Sequence, residues 1–224
     1  MENKTDQDRL FVATLVLGLN QTNAYLVGDP ASGEAVVIDP AWDGEVIVQE
    51  AERRGVIISG IWLTHAHFDH FGGAAAVVDS SKTPIPVALH PEDMPLWNAS
   101  GGAAVFGIRD FESGPKPTIS LQHGMHLQLG SYSFEVRSTP GHTPGHVIIL
   151  SREAGLCFCG DLIFQGSVGR TDIPGGDWNT LISSIKEEIL VLPDETQLLT
   201  GHGPATTVGR ERSTNPFLIG GYGF

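Results

Sequence analysis

Three histidines and an aspartate lie within one short stretch of this sequence, residues 64–70 (THAHFDH). Imidazole nitrogens suit zinc, iron and copper as ligands, and a carboxylate adds a hard oxygen donor. The alternative is an ordinary solvated turn, but turns are built mainly from Gly, Asn, Asp, Pro and Ser. The stretch therefore predicts a metal site, and its four candidate ligands are His65, His67, Asp69 and His70.

The elements on either side determine where this stretch lies. The apolar run 56–63 (VIISGIWL) predicts a buried strand, and the alanine-rich segment 74–78 predicts a packed helix. The histidines therefore follow the carboxyl end of a strand, which is where open α/β sheets place their ligands. A loop in that position can turn all four side chains toward one point.

Three later segments repeat the pattern of a metal-binding side chain beside glycine at a strand end. They are 140–145 (PGHTPG), 160–161 (GD) and 201–203 (GHG). Singly, each is weak evidence, because Gly-Asp after a strand is commonly only a turn. Together with the first stretch they supply five histidines and two aspartates, adding His142, Asp161 and His202 to the candidate ligands.

Composition limits the classes of protein to consider. The chain has 224 residues, which suits one domain over residues 1–224, and a formal net charge of −13. Such acidity argues against a nucleic-acid partner, since those surfaces need a basic face. The apolar run 11–19 is too short to span a bilayer, and the polar start Met1–Leu10 carries no secretory signal. We expect a cytoplasmic protein without a membrane partner, with Cys157 and Cys159 unpaired on one strand.

The element order predicts an α/β (α+β) fold. Three short strands precede a helix, the central strand, and further helices and strands; a second meander, a helix, a strand and a short helix follow. Two mostly antiparallel sheets packed face to face, with helices outside, give a four-layer αββα sandwich. Segment 98–122 is dense in Gly and Pro and predicts a flap or substrate-facing segment, with a plain surface insertion as the alternative.

These motifs together resemble the metallo-β-lactamase superfamily over essentially the whole chain. The resemblance rests on the motif His-X-His-X-Asp-His at 65–70. The segments that contain His142, Asp161 and His202 follow it in the same order as in the family. The resemblance implies that His65, His67 and His142 hold one metal ion. It likewise implies that Asp69, His70 and His202 hold a second, with Asp161 between the two. Two divalent ions are expected. Zinc is the leading candidate, with iron and manganese as alternatives.

The resemblance also narrows the reaction. True β-lactamases of the superfamily generally carry cysteine where Asp161 stands, which disfavours antibiotic hydrolysis. Segments 166–177 and 215–218 are similar to those of small glyoxalase II-like hydrolases. This similarity implies hydrolysis of a small-molecule thioester such as S-lactoylglutathione by a metal-bridging hydroxide, with Asp69 also serving catalysis by orienting the nucleophile. The larger glyoxalase II enzymes carry a glutathione-binding helical domain, and we expect this chain of 224 residues to be without one.

The sequence is also compatible with other functions. A mononuclear iron persulfide dioxygenase shares the histidine-rich loop, although such enzymes usually lack the Gly-His-Gly block. Hydrolysis of another ester or a lactone, and a metal-stabilised scaffold, are further alternatives. Arg170 either binds a substrate carboxylate or forms an internal salt bridge. The oligomeric state is left open by the sequence.

Overall fold

The computed structural model describes residues 9–81 and 83–220, so most of the polar start Met1–Leu10 lies outside it. Six strands form the first sheet, in chain order: β1 (Phe11–Leu17), β2 (Thr22–Asp29), β3 (Glu34–Ile38), β4 (Ile57–Trp62), β5 (Val87–Leu89) and β6 (Ile119–Ser120). The later strands are β7 (His126–Leu129), β8 (Tyr132–Ser138), β9 (Val147–Ser151), β10 (Leu156–Gly160), β11 (Ile163–Phe164), β12 (Ser167–Val168), β13 (Gln197–Thr200) and β14 (Thr206–Thr207). Strands β11 and β12 pair only with each other, and the rest form a second sheet in the order β14-β13-β10-β9-β8-β7.

The two sheets differ in strand direction. The second is mostly antiparallel, as predicted, with only β10 and β13 parallel. The first is mixed, because β3, β4, β5 and β6 run parallel to one another. The prediction of a mostly antiparallel first sheet was therefore wrong. The reason is the intervening connections, since a crossover returns the chain to the same end of the sheet and makes the next strand parallel.

Helices cover the outer faces. On the first sheet lie α1 (Gly44–Arg54), α2 (Phe68–Phe71), α3 (Ala74–Asp79) and α4 (Met94–Asn98). On the second lie α5 (Trp178–Ser184), which continues as a π-helical turn over Ile185–Ile189, then α6 (Val208–Thr214) and α7 (Pro216–Ile219). The Asp177 carboxylate accepts the Thr180 N–H and caps α5. In the part of the chain that the structure describes, no helix has the length and hydrophobicity needed to cross a bilayer.

Three apolar clusters separate the layers, which confirms the four-layer prediction. Strand β2 shows how alternation supplies two of them, since Leu26 faces α1 and α3 while Tyr25 and Val27 face the second sheet. The third cluster joins the second sheet to α5 and α6. Cys157 and Cys159 both lie in it, buried and unpaired, as their spacing on one strand predicts.

Segment 98–122 is more ordered than its composition suggests. It contains 3-10 turns over Ser100–Phe106 and the short strand β6. Hydrogen bonds from Thr118 N to Val87 O and from Leu121 N to Leu89 O fix its return to the first sheet. Phe106 lines the cavity described below. The segment is therefore more than a plain surface insertion, because part of it faces that cavity.

Hydrogen bonds from Asn23 and Tyr25 of β2 join the two sheets where β13 ends. Asn23 N donates to Gly201 O at 2.8 Å, its side chain donates to Thr200 O, and Tyr25 Oη donates to Thr200 O at 2.6 Å. Both strands are buried there, so these bonds lie in a low-dielectric environment that strengthens them. They fix the distance between the strand ends of the two sheets.

Candidate metal centre

All seven candidate ligands lie at the carboxyl ends of strands, as predicted. Four follow β4, on its loop and in the first turn of α2, whose N-cap is His67. The other three follow β8, β10 and β13 of the second sheet. The centre therefore lies across the join between the sheets, and neither sheet supplies it alone.

The first group of donors is His65, His67 and His142, whose ligand atoms lie within 4.8 Å of one another. His67 Nδ1 and His142 Nε2 face each other at 3.0 Å. The other ring nitrogen of His142 donates to the Arg170 carbonyl at 2.8 Å, so Nε2 keeps its lone pair in the neutral ring. Lone pairs that converge in this way suit a cation.

The second group is Asp69, His70 and His202, also within 4.8 Å. His202 Nε2 is 3.4 Å from Asp69 Oδ2, and His202 Nδ1 donates to the Asn20 carbonyl at 3.1 Å. Asp161 lies between the groups. Its Oδ1 is 3.4 Å from His70 Nε2, and its Oδ2 is 3.6 Å from His142 Nε2 and 3.5 Å from His202 Nε2.

A buried aspartate that sequence reasoning missed orients two of the histidines. Asp39 Oδ2 accepts from His70 Nδ1 at 3.0 Å and from Thr64 Oγ1 at 2.6 Å. The Thr64 hydroxyl therefore accepts from His65 Nδ1, 3.0 Å away, because Asp39 is its stronger acceptor. Both imidazoles are thus held with Nδ1 protonated and Nε2 turned toward the centre. Asp39, His65 and His70 also have ligand atoms within 4.8 Å of one another, but Asp39 Oδ2 is occupied by its hydrogen bonds from Thr64 and His70.

A second buried aspartate, Asp93, braces the two loops that carry the first group. Its Oδ2 accepts the Ala66 N–H at 2.9 Å and the Thr143 hydroxyl at 2.8 Å, and its Oδ1 accepts the Gly145 N–H at 2.7 Å. Ala66 separates two of the histidines and Thr143 follows the third. Asp93 is fully buried, so solvent offers these donors no substitute.

Burial and neighbouring charges shift the pKa values of the ionisable groups, together at His65 and in opposite directions at Asp161 and His202. Burial lowers the pKa of His65 well below its ordinary value and that of His67 to about 3. Burial raises the pKa of Asp161, but His70 and His202 lower it more, so the pKa falls well below the usual range. Burial lowers the pKa of His202, but Asp161 and Asp69 raise it to about 9. The centre therefore pairs ionised carboxylates with imidazoles, and His202 holds a proton at neutral pH.

The donor set fits divalent metal ions. His65 Nε2, His70 Nε2 and Asp161 Oδ1 are buried without any hydrogen-bond partner, which is costly for polar atoms unless a ligand pairs with them. Gly201 keeps room for this arrangement, because a Cβ at that position would overlap Asp161 Oδ1. Histidine nitrogens with carboxylate oxygens suit zinc, iron and manganese, and the chain holds them in two groups around one shared carboxylate.

His146 lies beside the centre but outside both groups. It is fully buried, its Nδ1 lies 2.8 Å from Thr139 Oγ1, and its ring centroid lies 5.3 Å from that of His65. His146 is therefore a buried structural histidine in this arrangement.

A cavity of about 460 Å³ opens over the centre. Besides five of the candidate ligands it is lined by Asn20, Phe68, Phe106, Phe164, Val168, Arg170 and Ile173. Asn20 also donates to Asp69 Oδ2 at 3.1 Å. The Arg170 guanidinium makes two hydrogen bonds to Asp172, of 2.8 and 2.9 Å. The internal salt bridge weighed for Arg170 is therefore present, and its role toward a substrate stays a prediction.

The fold and this donor set define a class, and comparison with known proteins agrees. A family model described as the metallo-beta-lactamase superfamily matches residues 17–202, so the chain belongs to that superfamily. At this level it is a metal-binding hydrolase.

Two curated relatives match nearly the whole chain. One is the "Probable metallo-hydrolase YqgX" of Bacillus subtilis, 41% identical over 91% of this chain and 95% of the relative. The other is the "Hydroxyacylglutathione hydrolase GloC" of Haemophilus influenzae, 35% identical over 88% of this chain and 93% of the relative.

Two solved structures are also similar. TTHA1623 "in a di-iron-bound form" is 43% identical with a TM-score of 0.83, covering 92% of this chain and 100% of that one. The "BLEG-1 B3 metallo-beta-lactamase" is 38% identical with a TM-score of 0.84, covering 93% and 100%. The structure described as a metallo-beta-lactamase bears on the expectation that this chain does not hydrolyse antibiotics. A test of that expectation therefore includes a β-lactam among the substrates.

Proposed function

We propose that this chain is a glyoxalase II-like thioester hydrolase that binds two divalent metal ions. Zinc is the metal that we propose for both positions, with iron and manganese as alternatives. One observation carries the proposal: Asp161 lies between two groups of converging ligand atoms, each drawn from both sheets. His65, His67 and His142 would hold one ion, Asp69, His70 and His202 the other, and Asp161 both. Bound there, the ions would supply polarisation of the thioester carbonyl and acidification of the attacking water.

The chain's own residues orient the attacking water. Burial raises the pKa of Asp69, but His70 and the hydrogen bond from His202 lower it far below its ordinary value. Asp69 therefore stays ionised at neutral pH and orients the water by accepting a hydrogen bond. Asn20 and Thr22 donate to its Oδ2 and fix that carboxylate. The water gives up a proton to solvent, its oxygen bonds to the carbonyl carbon, and the carbon–sulfur bond breaks. The thiolate leaves with little need of acid help, because thiols have a pKa near 8.5.

A thioester is favoured by the relative named a hydroxyacylglutathione hydrolase and by the resemblance of segments 166–177 and 215–218. The experiment is a hydrolysis panel led by S-lactoylglutathione, with a simple ester, a lactone and a cephalosporin beside it. Metal content and oxygen uptake with glutathione persulfide are measured on the same sample. We expect thioester hydrolysis with two ions per chain and no oxygen uptake. One iron per chain with oxygen consumed would identify the persulfide dioxygenase instead, and faster cephalosporin than thioester turnover would contradict the proposal.

A further inference from the structure

The cavity over the metal centre has an apolar wall. Apart from the candidate ligands, five of the seven lining residues are Phe68, Phe106, Phe164, Val168 and Ile173. Ligand sites of this kind take up apolar groups and use a few polar contacts to fix orientation. The wall therefore favours a substrate group without charge.

The electrostatics of the cavity point the same way. Among the described residues that line it, Arg170 is the one lysine or arginine, and Asp172 already neutralises it through a two-point ion pair. The chain as a whole carries a formal net charge of −13. Apart from the metal ions of the proposed function, a substrate carboxylate would therefore meet no unpaired lysine or arginine among the described residues of this wall.

Phe106 is the exposed part of this wall. Its ring centroid lies 5.2 Å from that of Phe68, yet 58% of the residue is open to solvent. The turn that carries it is anchored at Gly101 (φ 62°), where an added Cβ would overlap the Phe68 backbone. The preceding residue, Val105, is 82% exposed and does not line the cavity. An apolar ring left open beside a reaction centre gains stability by contact with an apolar ligand.

We infer that this site selects thioesters in which the group beside the reacting carbonyl, on the acyl or the thiol side, is an uncharged apolar chain packed against Phe106, Phe164 and Ile173. This inference rests on the proposed thioester hydrolysis and specifies its substrate class. Each methylene moved from water onto the wall is worth about a four-fold gain in kcat/KM.

Two series of thioesters test the inference on the metal-loaded protein. The first keeps N-acetylcysteamine as the thiol and lengthens the acyl group from acetyl to pentanoyl. The second keeps acetyl and lengthens an alkyl thiol. We expect about a four-fold rise in kcat/KM per methylene in at least one series, which also identifies the side that binds. A succinyl thioester should react at least about ten-fold more slowly than the pentanoyl one.

Two variants locate the effect. Phe106→Ala should at least halve the gain per methylene, whereas the adjacent Val105→Ala should keep it. Calorimetric binding of an uncleavable thioether, S-pentyl-N-acetylcysteamine, gives a readout independent of turnover and should weaken only in Phe106→Ala. Flat series, or charged thioesters preferred over apolar ones, would overturn the inference while leaving thioester hydrolysis intact. No hydrolysis of any thioester would overturn the proposed function and this inference together.

Discussion

Replacing Asp93 tests whether the two loops of the first ligand group depend on one buried brace. Asp93→Ala leaves the N–H groups of Ala66 and Gly145 buried without acceptors, while the Thr143 hydroxyl can rotate toward another acceptor. A buried donor without a partner costs about 1–3 kcal/mol, so two of them cost about 4 kcal/mol in free energy of unfolding. For a chain of this size that corresponds to a fall in Tm of about 8–16 °C.

The assay is urea unfolding of the metal-free variant beside wild type. Asp93→Asn retains one oxygen acceptor and should lose about half as much stability. Glu92→Ala, an exposed neighbour, is the matched control and should stay within about 0.5 kcal/mol of wild type. Zinc affinity of Asp93→Ala should fall about 10- to 100-fold, because the loops bearing His65, His67 and His142 lose their common support. An Asp93→Ala variant as stable as Glu92→Ala would refute this reasoning.

Two further predictions concern the second ligand group. Despite burial, carboxylates raise the pKa of His202 to about 9 and that of His70 well above its ordinary value in the metal-free site, so zinc must displace protons; apparent zinc affinity, measured by chelator competition, should rise from pH 6.5 to 9 by up to about ten-fold per pH unit for each proton displaced. By the same linkage, the free energy of unfolding that protonated His202 adds to the metal-free protein is present below pH 6.5 and is lost as the pH rises through 9. Zinc affinity and stability that do not change with pH over this range would contradict both predictions. Gly201→Ala should lose at least one ion by elemental analysis, since the new methyl group displaces Asp161 Oδ1. The control Gly203→Ala, which meets no atom but has φ 71°, should keep both ions and cost about 1–2 kcal/mol; equal metal content in the two variants would contradict the steric argument.

The positions of the candidate ligands could be predicted because two local signals coincide at each one. Strand periodicity shows where a strand ends, and an unusual residue type beside glycine follows. Cys157 and Cys159 were correctly predicted to lie unpaired on one strand for the same reason, since strand periodicity depends only on local sequence.

What the sequence did not reveal depends on partners far apart in the chain. Asp39 and Asp93 are not among the residues predicted from the sequence, although both are buried acceptors for the ligand loops. Asn20 lies in a turn 49 residues from the carboxylate it contacts. Asp39 had one usable signal, since it too follows a strand end. The parallel pairing of β4 with β5 likewise required knowing the path of the intervening chain.

The most direct test of the central claim is the number of metal ions bound by wild type and by Asp161→Ala, measured by equilibrium dialysis against zinc with elemental analysis. Asp161 contacts both ligand groups, so wild type should bind two ions and the variant at most one, with most thioester hydrolysis lost. Asp172→Ala, an exposed aspartate outside both groups, should keep two. Two ions held with unchanged affinity by Asp161→Ala, together with normal turnover, would contradict the account.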